Sequence, residues 1–314
     1  MATITQAFVL GAGLGTRLRP VTDDLPKPLV PIFQKPLITF ALDHLIGIGI
    51  ESFVINTHRL PEQFANAFAD GAYRDRPVRL VHEPELLGTG GGIKNIEPYL
   101  ESRPFIVYSG DVLTDIDLQP LIDEHFRGGN DVTLALRQTG LGQDVALDDG
   151  RVLDIGNKYG HPGNYDFANV SVWSRKIFER IPTRTKISFI PIVTQWIGEG
   201  GKIGGVILNE NRWFNIGSRA QYLEVHRAIA DGWRPPYVDT PEWPVRVAKS
   251  AIVAASTQLS GFFSIGTDCS VGDDASIEDT ILWPNAEIAS KSRLHGCIVR
   301  ANRKVSGIHR NIDI

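Results

Sequence analysis

Two cysteines, Cys269 and Cys297, are all that the 314 residues contain, too few for a disulfide framework and without the paired spacing of a zinc site. That scarcity fits a reducing compartment, and both residues read as inert. Long apolar runs are missing as well, so no segment reaches membrane-spanning length. The opening Met1-Ala2-Thr3-Ile4-Thr5-Gln6 shows no basic region followed by an apolar stretch. A cytoplasmic location is expected, with no membrane partner. Excess positive charge is the third absence: the formal net charge is -4, with Lys and Arg scattered rather than massed. Nothing suggests a surface that neutralises a phosphate backbone, so nucleic acid is not an expected partner. What is present, 42% hydrophobic and 22% charged residues, suffices for a full core and two domains.

From Ala7 to about Arg234 short β-rich apolar runs alternate with helix-like segments, the pattern of an α/β domain around a mainly parallel mixed sheet. Strands are expected at Ala7–Leu10, Ser52–Asn56, Val78–His82, Phe105–Tyr108, Val132–Ala135 and Ala168–Trp173. Amphipathic helices are expected at Leu37–Ile48 and Pro61–Ala69, where apolar residues recur at three- and four-residue intervals. The carboxyl edge of such a sheet is where a site belongs. Four prolines in Arg234–Pro244 cannot donate to a helix or ladder and mark a connection. The expected division is therefore a first domain at 1–234, a linker at 235–247 and a second domain at 248–314.

In that last segment Val253, Leu259, Ile265, Val271 and Ile277 recur every six residues, and after one shortened step Leu282, Ile288 and Leu294 resume the interval. Hexapeptide periodicity suits a short left-handed parallel β-helix, with aliphatic residues inward and small or turn-forming residues at the corners. Gly266 and Gly272, each directly after its aliphatic residue, fit the pattern.

The first expected strand runs into Gly11-Ala12-Gly13-Leu14-Gly15-Thr16-Arg17-Leu18-Arg19-Pro20, and Pro26-Lys27-Pro28-Leu29 follows. Glycines let backbone N–H groups approach phosphate oxygens, and Arg17 and Lys27 add positive charge. A Rossmann fingerprint would need glycine where Thr16 stands, and a Walker loop would end in Gly-Lys-Ser/Thr. A Gly-rich turn alone is as often a plain strand-to-helix connection; the two basic residues point beyond that.

With them, the segment resembles the signature of the sugar-nucleotide pyrophosphorylases, Gly-x-Gly-x-Arg-(Leu/Met)-x-Pro followed by Pro-Lys-Pro-Leu. Three further segments resemble motifs of that family, in family order. His82-Glu83-Pro84-Glu85-Leu86-Leu87-Gly88-Thr89-Gly90-Gly91-Gly92 looks like its base-recognition loop, Tyr108-Ser109-Gly110-Asp111 like its strand-terminal metal motif, and Trp213-Phe214-Asn215-Ile216-Gly217-Ser218 like its later Trp-x-Asp-x-Gly-Thr. The pattern is similar to N-acetylmuramate-1-phosphate uridylyltransferases and mannose-1-phosphate guanylyltransferases. The resemblance implies a Rossmann-like nucleotidyltransferase domain that joins a nucleoside triphosphate to a sugar 1-phosphate and releases pyrophosphate. UTP, GTP, dTTP, ATP and CTP all remain open; Thr89–Gly92 and Gly110–Asp115 look closest to the uridylyltransferase type, which favours UTP.

The resemblance also assigns expected sites. Arg17, Lys27 and Asp111 would be catalytic. Leu10, Gly11, Ala12, Gly13, Gly15, Thr16, Glu83, Leu87, Gly88 and Thr89 would bind the nucleotide, and Glu83, Leu87 and Gly88 would flank the base. Asn169 matches a sugar-facing position. Lys186 is a candidate for the sugar phosphate, although a lone lysine is usually a solvated charge. Asp111 and Asn215 would hold Mg²⁺; the alternative for Asp111 is a helix N-cap. Two departures stand out. Asn215 replaces a second metal-binding aspartate, removing a negative charge while keeping an oxygen ligand. Asp154-Ile155-Gly156-Asn157-Lys158 lacks the family's sugar-contacting glutamate. They motivate a second reading, a nucleotide-sugar-binding regulatory subunit. A third, an acyltransferase in the β-helix, is disfavoured because His295 and His309 are the only histidines there. His58, His82, His125 and His161 lack metal-ligand spacing, and Trp213, Trp233 and Trp243 read as packing residues. The β-helix would pack on the first domain or build a homo-oligomer.

Overall fold

The computed structural model describes residues 3–314. Their ten-stranded sheet follows the spatial order Val145–Asp148, Arg151–Ile155, Ile203–Ile207, Val132–Arg137, Asp166–Trp173, Phe105–Ser109, Gln6–Leu10, Ser52–Thr57, Arg76–His82, Ala72–Tyr73. Each of the six expected strands is present, longer by one or two residues. Gln6–Leu10 runs parallel to both of its neighbours, Ser52–Thr57 and Phe105–Ser109. The sheet is mixed, as expected, but not mainly parallel, because Asp166–Trp173 inserts antiparallel to both Phe105–Ser109 and Val132–Arg137 and a hairpin closes the far edge. From Gln6–Leu10 the chain winds outward through Ser52–Thr57 to Arg76–His82, then returns to the other side of Gln6–Leu10 as Phe105–Ser109. That reversal opens a crevice at the carboxyl ends of the two strands, the usual place for a ligand in such a sheet.

Helices Pro61–Ala67, Gly88–Asn95, Gln119–Arg127 and Phe189–Gly198 make the connections. Expected helix Leu37–Ile48 is realised as Leu37–Gly47, with Leu37, Ile38, Phe40, Ala41, Leu42 and Leu45 buried. The core around the sheet joins Phe8, Val54, Ile93, Val107, Leu134 and Trp173. Trp173 meets Phe189 edge-on with centroids 5.3 Å apart, and Phe105 stacks on Phe178 at 5.5 Å.

The six-residue periodicity becomes a coil of parallel strands. Ile252 pairs with Ser270 and Gln258 with Ser276, 18 residues and three steps apart. After the shortened step the pairs Ser270–Glu287 and Ser276–Arg293 are 17 apart. Ile265, Val271, Ile277, Leu282, Ile288 and Leu294 form its core, with Val253 and Leu259 packed against it. Corners fall at Asp268, Asp274, Asp279, Asn285, Lys291 and Asn302, all with positive φ, a conformation that Asp and Asn tolerate best after glycine. Cys269 and Cys297 are buried in this coil, and burial raises both thiols above their ordinary pKa.

The chain forms two compact units: one contains the residues up to Leu14 together with Ala41–Trp213, the other Gly15–Phe40 together with Phe214–Ile314. Within the second unit Gln34 Nε2 donates to Ser264 Oγ at 3.0 Å, and Tyr222 Oη donates to the Pro31 carbonyl at 2.6 Å while accepting from Trp283 Nε1 at 3.1 Å. Arg300 pairs with Asp24 at 2.7 Å. The proline-rich run also lies in this unit. Arg234 donates to the carbonyls of Val238, Thr240 and Trp243, and buried Trp243 donates to the Ile32 carbonyl.

Candidate active site

At the crevice the first unit brings two motifs together. Gly110 N–H donates to the Leu10 carbonyl at 2.9 Å, so the glycine loop and Asp111 leave the sheet from adjacent strand ends. Asp111 is half-buried at this edge. Gly11 and Ala12 were expected to offer their N–H groups to phosphate; instead both donate to Asn56 Oδ1, at 2.8 and 3.3 Å. The amides that remain for an anion begin at Gly13, which is exposed.

Glu83 also departs from expectation. It is fully buried, with one carboxylate oxygen accepting from Asn56 Nδ2 at 2.7 Å and the other from Leu87 N–H at 3.0 Å. A buried carboxylate has to be satisfied by internal donors, and both oxygens of this one are. Leu87, Gly88 and Thr89 of the same loop are half-buried. These residues are tied to the 185–189 segment: Ile187 N–H donates to the Leu87 carbonyl at 2.9 Å, Gly90 N–H to the Ile187 carbonyl at 2.9 Å, and Phe189 N–H to Thr89 Oγ1 at 3.1 Å. The approach is so close that a Cβ on Gly91 would lie 2.3 Å from the Thr185 carbonyl oxygen. Lys186 rides on this strap with its side chain exposed.

Asn169 sits where the register between Asp166–Trp173 and Val132–Arg137 breaks, with φ 64° in the left-handed region. A strand residue in that conformation re-aims its side chain. Nearby, Trp213 Nε1 donates to the Ala168 carbonyl at 2.9 Å. The stretch leading into Trp213 is held from two sides. Arg137 donates to the carbonyls of Leu208, Asn209, Glu210 and Asn211, while Asp115 accepts from Arg212 N–H at 2.7 Å and Thr114 Oγ1 donates to the Arg212 carbonyl at 2.6 Å. Burial also pushes His44 down to about 4, against the backbone of Ile116 and the charges of Asp115 and Asp117.

Gly15, Thr16, Arg17, Lys27 and Asn215 belong to the second unit. Gly15 has φ 63°, its carbonyl accepts from Thr22 Oγ1 at 2.8 Å, and a Cβ there would lie 3.2 Å from Lys27 Cβ. Thr16 and Arg17 are exposed in a short 3₁₀ turn, whereas Lys27 is only 7% exposed. The guanidinium of Arg17 lies over Gly217, where a Cβ would come within 3.0 Å of it. Ser218 caps the helix Arg219–Ala230 by accepting from Gln221 N–H. This unit thus joins Arg17 to the segment that carries half-buried Asn215.

On the expected sugar side, Asp154 is buried and accepts from the N–H groups of Lys158, Tyr159 and His161. Burial works to raise its pKa, but these backbone donors outweigh it and hold the carboxyl below its usual range. Both of its oxygens are used within its own loop. Among the described residues no three His, Cys, Asp or Glu side chains group as a metal cage. Of the two expected metal ligands, Asp111 offers a carboxylate in the first unit and Asn215 an amide oxygen in the second, each by itself the kind of hard oxygen donor that suits Mg²⁺. Asn56 and Arg137 were not foreseen. The available signal for Asn56 was a polar residue ending the apolar run Phe53-Val54-Ile55.

A family model described as Nucleotidyl transferase matches residues 6–232. The chain is 28% identical over 301 residues to a mannose-1-phosphate guanylyltransferase of Mycobacterium tuberculosis, covering 93% of this chain and 82% of that protein. It is 44% identical over 115 residues to an N-acetylmuramate alpha-1-phosphate uridylyltransferase of Neisseria meningitidis, covering 36% of this chain and 49% of that protein. Among solved structures, an inositol-1-phosphate CTP transferase from T. maritima superposes with a TM-score of 0.58 at 21% identity, covering 69% of this chain and 91% of that one, a likeness of fold.

Proposed function

The chain belongs to the nucleotidyl transferase family and is a sugar-1-phosphate nucleotidyltransferase, and from that premise we propose that it transfers a nucleoside monophosphate, with UTP the favoured donor, to a sugar 1-phosphate in a Mg²⁺-dependent reaction. The observation that carries this reading is the pairing of Leu10 with Gly110 at the sheet's reversal, which puts the glycine loop and Asp111 on one edge. The reaction asks little covalent chemistry of the protein. A phosphate oxygen of the sugar 1-phosphate attacks the α-phosphorus in line and pyrophosphate leaves, so positioning and charge do the work.

Arg17 and the amides from Gly13 to Thr16 take the departing pyrophosphate, and Lys27 the substrate phosphates. Leu10, Gly11 and Ala12 form the inner wall of the loop. Leu87, Gly88 and Thr89 flank the base, with the Gly88 backbone as its reader, since Glu83 and the Leu87 N–H are committed to each other. Uracil, with alternating acceptors and one donor on its edge, suits such a backbone reader, and the local likeness to a uridylyltransferase supports the same choice. Asn169 faces the sugar, with Lys186 at its phosphate. Asp111 and Asn215 would each offer an oxygen to the metal, which would screen the phosphate charge that builds up on displacement. Among the described residues no helix is long and apolar enough to cross a membrane.

Pyrophosphate release from a matrix of the common nucleoside triphosphates and sugar 1-phosphates, with Mg²⁺ and with EDTA, tests the reading. Metal-dependent release with one pair names both substrates. Silence across the matrix, with calorimetry still registering nucleotide or nucleotide-sugar binding, would replace it with the regulatory-subunit reading.

A further inference from the structure

Asn56 is the next-to-last residue of the buried strand Ser52–Thr57 and is 2% exposed, yet its side-chain amide is used at both ends. Its oxygen accepts from the N–H groups of Gly11 and Ala12, and its nitrogen donates to Glu83, whose second oxygen accepts from Leu87 N–H. The orientation is fixed by chemistry, because two backbone donors require the oxygen on one side and a carboxylate requires the nitrogen on the other. The backbone is tied in too. Glu83 N–H donates to the Thr57 carbonyl at 2.7 Å, and its own carbonyl accepts from His58 Nδ1 at 2.8 Å.

Two glycines from separate motifs back onto this pair. A Cβ on Gly11 would lie 2.6 Å from the Asn56 carbonyl oxygen, and one on Gly92 would lie 2.9 Å from Asn56 Nδ2 and 3.0 Å from Glu83 Oε1. Both loops therefore pack without side chains on one buried Asn–Glu strut, far apart in sequence and joined by hydrogen bonds in a site closed to water. A buried hydrogen-bonded network of this kind rigidifies what it touches.

We infer that Asn56 is a positioning residue for nucleotide binding, acting through Glu83 to hold the Gly11–Ala12 loop and the Leu87–Gly88 loop in one mutual geometry. The inference rests on the nucleotidyltransferase reading. Neither side chain touches nucleotide; the pair determines whether the phosphate loop and the base loop fit one ligand together.

The donor and acceptor pattern gives a direct test by exchange. Asn56→Asp keeps the acceptor for Gly11 and Ala12 but sets a carboxylate against Glu83. Glu83→Gln keeps one acceptor but turns an NH₂ toward either Asn56 or the Leu87 N–H. The double variant Asn56→Asp/Glu83→Gln restores every donor–acceptor pair at unchanged net charge: the introduced carboxylate accepts from the introduced amide, whose oxygen accepts from Leu87 N–H. Calorimetric binding of each common nucleoside triphosphate, the two KM values and kcat are measured on the full-length protein, with thermal unfolding recorded in parallel. Each single variant is expected to bind the triphosphate about tenfold or more weakly and to raise its KM in proportion, with the KM for sugar 1-phosphate held, by analogy with groups that orient a site from behind. The double variant should return to within about threefold of wild type, the signature of direct coupling. Should Asn56→Asp not fold, Glu83→Gln against the double variant carries the same comparison. Single variants that bind like wild type, or a double variant no better than the worse single, overturn the inference. A wild-type protein that binds no nucleoside triphosphate overturns the functional reading first, and is told apart by needing no variant at all.

Discussion

Lowering the pH from 7.5 to 5 should cost this protein a large part of its stability through three buried histidines. Burial pushes His44, His125 and His226 from the ordinary 6.5 down to about 4. His226 is the plainest case: its Nδ1 lies 2.8 Å from the Tyr222 carbonyl, its Nε2 has no hydrogen-bond partner, and the rings of Phe33, Tyr222 and Phe262 surround it. A proton there would be buried against aromatic carbon. The folded pKa values lie below the unfolded ones, so the unfolded chain binds more protons between pH 6.5 and 4. Stability is therefore fully present above about 6.5 and is lost as the pH falls toward 4. At pH 5 linkage gives about 2 kcal/mol for each histidine and about 6 kcal/mol for the three, a large share of the ~5–15 kcal/mol that holds a typical domain folded. Asp154 and Asp166, held below their ordinary values, add a separate loss only at lower pH, below about 4. Urea denaturation followed by tryptophan fluorescence at pH 7.5, 6 and 5 measures the effect. His226→Phe should remove about a third of the pH dependence while changing stability at pH 7.5 by less than about 1.5 kcal/mol. A free energy of unfolding that moves by less than about 2 kcal/mol across this range, or a His226→Phe variant with the full slope, would refute the reasoning.

The same geometry gives three further expectations. Gly91→Ala drives a Cβ into the Thr185 carbonyl, which is backbone and cannot swing away; it should cost about 1–3 kcal/mol and weaken triphosphate binding, checked by denaturation and calorimetry on one preparation. Arg137→Ala strips the guanidinium from the carbonyls of residues 208–211. Because that turn leads into Asn215, turnover should fall about tenfold with little change in triphosphate affinity, read from steady-state kinetics beside calorimetry. Asp111→Ala should abolish pyrophosphate release and its stimulation by added Mg²⁺, with the circular dichroism of the wild type; near-wild-type turnover would remove Asp111 from the mechanism.

Much of this molecule could be read locally. The alternation of apolar runs placed the strands from Ala7–Leu10 to Ala168–Trp173, and the interval from Val253 to Leu294 located the inward residues of the coil. Those patterns are legible because side-chain direction repeats with the backbone and needs no knowledge of the partner. The direction of a hydrogen bond has no such period. The sequence offered Gly11, Ala12 and Glu83 as groups for a nucleotide, yet Asn56, 45 residues from Gly11 and 27 from Glu83, takes the amides of the first two and one oxygen of the third. The insertion of Asp166–Trp173 between Phe105–Ser109 and Val132–Arg137, which keeps the sheet from being mainly parallel, and the gathering of Gly15–Phe40 with Phe214–Ile314 are likewise matters of distant contact. What the sequence determined by itself was the kind of chemistry: glycines before two basic residues, a carboxylate after a strand, an amide where a second carboxylate would be expected. Only the tertiary structure decided which polar groups remain for a ligand, because a buried donor or acceptor must be paired, and the chain alone does not say with whom.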